Sequence, residues 1–162
     1  MVTLLAGTQA PDLLLRDVDG VRYSLYQRLK ESPVVLLAFF KVSCPVCQFE
    51  FPYLERLHRS YPQVPIWGIS QDDADAATSF KRMFGVTFPI LMDSSLDSTV
   101  QYGLTNVPSV FLVGNNKEIR QTIVGFDKKQ LEQVNLELAM AASASSKPLF
   151  SSADEVPEVR PG

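Results

Sequence analysis

Cys44 and Cys47 are the only thiols in the chain, set Cys-x-x-Cys within Phe39-Phe40-Lys41-Val42-Ser43-Cys44-Pro45-Val46-Cys47. Two thiols at that spacing close a small disulfide ring and open it again when the backbone holds the sulfurs together, which is redox chemistry. A scaffold role is not needed: 162 residues, 46% hydrophobic, bury a core without covalent staples. A metal site is poorly supplied, because a structural zinc takes four ligands and the sequence offers these two cysteines and a distant His58. No metal and no other cofactor is implied.

The thiols need elements that hold them. Val34-Val35-Leu36-Leu37-Ala38-Phe39-Phe40 is a β-prone run without polar alternation, as expected of a central strand buried on both faces, and it leads straight to the cysteines. After them Val46, Phe49, Tyr53, Leu54 and Leu57 recur at helical spacing and predict a helix to Ser60. Pro45 suits its first turn, where no amide donor is missed, and Pro52 should bend it. Cys44 then stands at the helix N-terminus, where unpaired amides and the helix dipole favour a thiolate, so it is the expected attacking sulfur. Cys47 lies one turn deeper and is the expected resolving thiol. Glu50 shares its helical face.

The remaining elements alternate. Asp19-Gly20 between two apolar runs signals a hairpin, and Ser24 can cap a short helix to Lys30. Val64 to Ser70 reads as a strand, Ala74 to Phe84 as a helix stopped by Gly85, and Pro89 to Met92 as a short strand. Asp93 or Ser94 should open a helix that Gly103 closes; a hairpin over Ser109 to Val124 and a helix from Asp127 to Ala142 follow. The pattern predicts an α/β domain over residues 1–142, a central mixed β-sheet flanked by helices. From Ser143 to Gly162, Ser, Ala, Pro and acidic residues dominate, which predicts a flexible C-terminal tail over 143–162.

A net charge of -3 without a local Lys/Arg cluster argues against nucleic acid and anionic membrane as partners. The opening lacks a basic start and a long apolar run, so a cytoplasmic setting is expected, or a periplasmic one if a leader has been removed. Lys41 beside the motif reads as solvated or as a charge that lowers the thiol pKa. His58 reads as a surface residue and Trp67 as core.

Together these residues resemble the thioredoxin superfamily. Gly7-x-x-Ala10-Pro11-Asp12, Asp17-x-Asp19-Gly20, Cys47-x-x-Glu50-x-Pro52, Gly68-Ile69-Ser70-Gln71-Asp72, Gly85-Val86-Thr87-Phe88-Pro89, Tyr102-Gly103-Leu104 and Val107-Pro108-Ser109-Val110-Phe111-Leu112 look like the redoxin (AhpC/TSA) branch, which holds TlpA-like thiol-disulfide oxidoreductases and peroxiredoxins. The resemblance implies a thioredoxin-like fold with an N-terminal β-hairpin extension and a βα insertion. It implies that Glu50 accepts the proton of Cys47, since the aspartate of thioredoxin itself would fall at Ala38. It also implies that Pro108 is a cis-proline presenting the backbone of Val107 to a substrate strand. Ser43, where thioredoxin-like proteins usually have tryptophan, and Pro45 complete the expected substrate-contact set.

The peroxiredoxin pattern Pro-x-x-x-Thr-x-x-Cys, aligned on Cys47, would place Phe40 at its proline and Cys44 at its threonine, and no arginine stands near Val107-Pro108. Disulfide exchange is therefore expected over peroxide reduction. A thiol-dependent peroxidase and a noncatalytic redox-sensing module are the alternatives. Implied partners are a disulfide-containing protein or small molecule and an external thiol or thioredoxin-type reductant; the direction of electron flow stays open.

Overall fold

The computed structural model describes residues 2–162. Its centre is β3 (Val34–Phe40), with all seven residues buried. Side chains of successive strand residues point to opposite faces, and β3 feeds two cores accordingly. Val34, Leu36, Ala38 and Phe40 join one apolar cluster, and Val35, Leu37 and Phe39 join the other.

Around β3 the sheet runs in the order β2-β1-β5-β4-β3-β6-β7. β4 (Ile66–Ser70) pairs parallel with β3, and β5 (Ile90–Met92) parallel with β4. β6 (Ser109–Gly114) lies antiparallel on the other side of β3, followed by β7 (Ile119–Val124). The N-terminal hairpin, β1 (Leu14–Asp17) and β2 (Arg22–Ser24), extends the sheet by pairing β1 antiparallel to β5. One Asp17 carboxylate oxygen accepts from the amides of Asp19 and Val21 and closes the hairpin turn. This is the mixed thioredoxin-like sheet that the sequence predicts.

α2 (Pro45–Ser60), α3 (Ala74–Phe84) and α5 (Lys128–Ala141) cover one face, burying Phe51, Leu54, Phe80, Leu131 and Leu138 against the β3 residues of that side. Phe40 packs on Phe51 and Phe80 with ring centroids 4.3 and 4.8 Å apart. Each such ring contributes about 1.5–3 kcal/mol by leaving water, so the helix that carries the cysteines is pinned to the strand before them. On the other face, α1 (Leu25–Leu29) and the segment around Tyr102 close the second core.

Two expectations need correction. α4 (Asp97–Gln101) starts later than Asp93 or Ser94. Asp93 is buried, and its carboxylate accepts from the amides of Ser98 and Thr99 and from the Thr99 hydroxyl, so it caps the helix from a distance. The segment expected to be a flexible tail is laid along the domain. Leu149 is buried in the main core, and Phe150 packs on Tyr53 at 5.0 Å. The buried Tyr61 hydroxyl donates to Asn135 and accepts from the Lys147 amide, and Arg56 makes two bonds to Asp154. Further on, β9 (Val159–Arg160) pairs with β8 (Phe126–Asp127). The anchors of this segment are scattered apolar side chains, the Arg56–Asp154 pair, a two-residue strand pairing and single hydrogen bonds, which leave no periodicity to read.

Candidate active site

The peptide that leaves β3 at Phe40 must turn at once into α2, and three side-chain or backbone bonds hold that turn. The Val42 amide donates to the Asp72 carboxylate at 2.8 Å, the Gln48 side chain donates to the Val42 carbonyl at 2.8 Å, and the Cys44 amide donates to the Lys41 carbonyl. Cys44 is the N-cap residue of α2, and its sulfur accepts the amide of Cys47 at 3.1 Å. A sulfur in that position takes a donor that the first helical turn leaves unpaired, and the same donor stabilises negative charge on it. Pro45 follows at the first helical position, as its missing amide allows.

Both cysteines are free thiols, Cys44 half-buried and Cys47 with no exposed surface. Burial raises the pKa of the Cys47 thiol far above the ordinary cysteine value, and its bond to Cys44 adds to this, while the Lys41 backbone amide works in the opposite sense. The two sulfurs therefore differ in kind: one reaches the surface at a helix terminus, the other is held as a protonated thiol beneath it.

Glu50 is wholly buried, and neither carboxylate oxygen has a hydrogen-bond partner. Burial alone pushes its pKa well above the ordinary carboxyl range, and a charge on it would push Cys47 up as well. Glu50 is therefore no solvated surface carboxylate: its helical face turns inward.

On the facing loop the Val107–Pro108 peptide is cis, and Pro108 is buried. The Cys44 thiol donates to the Val107 carbonyl at 3.5 Å, so the loop before β6 and the N-terminus of α2 meet at the sulfur. The Ser109 hydroxyl donates to the Asn106 carbonyl at 2.7 Å and ties that loop to itself. Ser43 and Pro45 flank Cys44 at the surface, both exposed. All the sequence-predicted site residues thus come together at one end of the sheet: Cys44, Cys47 and Glu50 from α2, Ser43 before it, Val107 and Pro108 opposite.

Lys41 is exposed and borders a hollow of about 160 Å³ with Gln71, Asn106 and Val107. A larger hollow of about 520 Å³, between the N-terminal hairpin and α1, touches neither cysteine. Its floor includes Trp67, which is 3% exposed and meets Tyr23 edge-on, in keeping with a core role. His58 is not a plain surface residue: it is half-buried, its ring stands edge-on to Phe88, and its Nδ1 has no partner. Among the described residues, no three His, Cys, Asp or Glu side chains gather to hold a metal, and no helix is long and apolar enough to cross a membrane.

Asp72 and Gln48, which brace the turn before Cys44, carry no sequence signal of that role. Asp72 stands in a run of acids that offers helix caps, and Asp73 is the one that caps α3.

Comparison with known proteins agrees with this geometry. The model of the AhpC/TSA family matches residues 6–122. The thiol-disulfide oxidoreductase ResA of Halalkalibacterium halodurans is 29% identical over 136 residues, 82% of this chain and 76% of that protein. ResA of Geobacillus kaustophilus is 30% identical over 134 residues, 81% of this chain and 76% of that protein. Among solved structures, the thioredoxin domain of a thiol-disulfide oxidoreductase from Bacteroides vulgatus superposes with a TM-score of 0.74 at 21% identity, over 84% of this chain and 99% of that one. Peroxidoxin BcpB of Mycobacterium tuberculosis gives 0.70 at 19% identity, over 88% and 99%. These two structures bear on the fold alone. With a family model spanning most of its length and relatives aligned over three quarters of theirs, the chain belongs to the AhpC/TSA family.

Proposed function

We infer that the protein is a thiol-disulfide oxidoreductase working through the Cys44–Cys47 pair. The observation that carries this is the asymmetry of the two sulfurs: Cys44 half-exposed and bonded by a helix amide, Cys47 fully buried one turn below. The names of the ResA relatives support the same reading.

In the first step the Cys44 thiolate attacks one sulfur of a substrate disulfide. The Cys44–substrate S–S bond forms, the substrate bond breaks, and the departing thiolate takes a proton from water. In the second step Cys47 gives its proton to Glu50 as its sulfur attacks Cys44; the Cys44–Cys47 bond forms, the Cys44–substrate bond breaks, and the second substrate sulfur leaves as a thiolate that takes a proton from water. The sum is two electrons to the substrate and a Cys44–Cys47 disulfide in the protein, which an external dithiol resets. Burial raises the proton affinity of both Cys47 and Glu50, and a base whose affinity approaches that of its donor takes the proton more readily. The Val107 carbonyl, with Ser43 and Pro45 at the rim, is where a disulfide-bearing chain would rest against the site.

The test is the reduction potential of the Cys44–Cys47 pair, measured in glutathione or dithiothreitol buffers beside a hydrogen peroxide consumption assay. A potential near about -270 mV, the thioredoxin value, with negligible peroxide turnover fits a disulfide reductase. A much higher potential would make it an oxidant, and rapid peroxide consumption would replace the assignment with a peroxidase.

A further inference from the structure

The segment Glu158–Gly162 runs from the start of α5 across to the loop that holds Val107. The Lys128 amide donates to the Glu158 carbonyl at 2.9 Å, and Val159 and Arg160 pair antiparallel with Asp127 and Phe126. The strand then passes over Gly125, whose φ of +73° and lack of a side chain admit it: a Cβ there would lie 2.7 Å from the Arg160 carbonyl oxygen and 2.9 Å from the Gly162 nitrogen. The Arg160 guanidinium sits 4.8 Å above the ring of Phe49, on the helix that carries the cysteines. At Gly162 the backbone closes on the site loop. The Asn106 side chain donates to its main-chain oxygen at 3.3 Å, and a Cβ on Gly162 would run into the Val107 carbonyl oxygen. That carbonyl is the one the Cys44 thiol reaches at 3.5 Å.

An extended polypeptide that presents a disulfide to Cys44 would lie along the main chain of Val107, and this stretch of backbone is already met by the end of the segment Arg160-Pro161-Gly162. We propose that Val159–Gly162 is an intramolecular strap that occupies the polypeptide-docking edge at Val107 and thereby sets the substrate size of the enzyme. A small disulfide needs only the half-exposed Cys44 sulfur and reacts with the strap in place. A protein disulfide reacts only in molecules whose strap has lifted. The proposal rests on the disulfide-exchange reading above, and it assigns to the tail a part in selecting substrates for that same site.

The experiment compares the full chain with a chain ending at Glu155, which keeps Leu149 and the Arg56–Asp154 pair, and with Arg160→Ala, which leaves the strap but removes its contact with Phe49. Each protein is reduced, freed of reductant and mixed with insulin or with hydroxyethyl disulfide in single turnover. For a groove open in about one-tenth of molecules, truncation raises the insulin rate about tenfold and leaves the hydroxyethyl disulfide rate within about twofold. Arg160→Ala shifts the insulin rate in the same direction by less. A synthetic peptide of residues 156–162, added to the shortened chain at millimolar concentration to match a tethered segment, slows insulin again and spares the small disulfide.

An insulin rate that truncation and Arg160→Ala both leave unchanged overturns the strap, as does an equal rise for both substrates. If the full chain reacts with neither disulfide, it is the disulfide-exchange reading that fails, so the two failures are told apart. Should the shortened chain not fold, Arg160→Ala decides by the same ratio of rates.

Discussion

Replacing Glu50 with Gln keeps the shape of the side chain and removes its titration, and the consequence for stability has a definite sign. In the unfolded chain a glutamate gives up its proton near about pH 4.3. In the folded protein Glu50 is wholly buried without a partner, and burial holds the proton on to higher pH. Between those two values the folded state binds one more proton than the unfolded state. Wild-type stability therefore falls with rising pH by about 1.4 kcal/mol per unit on account of this residue, and below the unfolded value the dependence vanishes.

The amide introduced by Glu50→Gln leaves two donors in the same unpartnered place, a cost of about 1–3 kcal/mol that does not vary with pH. The difference between variant and wild type should thus shift in favour of Glu50→Gln from about pH 4.5 upward until the pH passes the folded-state value, whatever its offset. Urea unfolding of both proteins, fully reduced, at pH 4.5, 5.5, 6.5 and 7.5 measures it (about one unit apart, to resolve the slope). Parallel stability curves would refute the reasoning, because they would mean that Glu50 titrates alike in the folded and unfolded states. On the proposed role of Glu50 as proton acceptor for Cys47, the same variant should also lengthen the lifetime of the mixed disulfide.

Cys47→Ser should stop the reaction at the first step and accumulate a covalent Cys44–substrate adduct visible by intact mass, whereas Cys44→Ser should give neither adduct nor turnover; an adduct on Cys47 in the latter would reverse the assigned roles. Tyr61→Phe should destabilise the domain by about 1–3 kcal/mol in urea, because it strands the buried Asn135 oxygen and takes the acceptor from the Lys147 amide. Phe51→Ala, which empties the contact among Phe40, Phe80 and Phe88, should cost about 3–5 kcal/mol by the same measurement.

The sequence displays the parts of this fold whose causes are local. β3 is legible because a strand buried on both faces has no polar residue to interrupt it, and the start of α2 because Pro45 and the apolar spacing after it admit few alternatives. Spacing likewise sets Glu50 on the face of Cys47, but its burial depends on what packs over that face, and a carboxylate on a helix reads as solvated by habit. The tail is illegible for a related reason. Its partners Arg56, Tyr61 and Phe126 are far away in sequence, and its own composition is that of segments that stay unfolded. His58 misleads in the same way, its contact with Phe88 coming from another part of the chain.

The place of β3 between β4 and β6 has a consequence for synthesis. On the ribosome the Cys-x-x-Cys segment emerges soon after β3, but the second neighbour of that strand, β6, and the Val107 loop against Cys44 come much later in the chain: Cys44 and Val107 are separated by 63 positions. Until then the parallel pairing with β4 is the longest support that β3 has, and non-local pairing of this kind is slow to form. The nascent chain therefore lacks the Val107 side of the Cys44 site through much of its translation, and the site is completed only once that loop has left the ribosome.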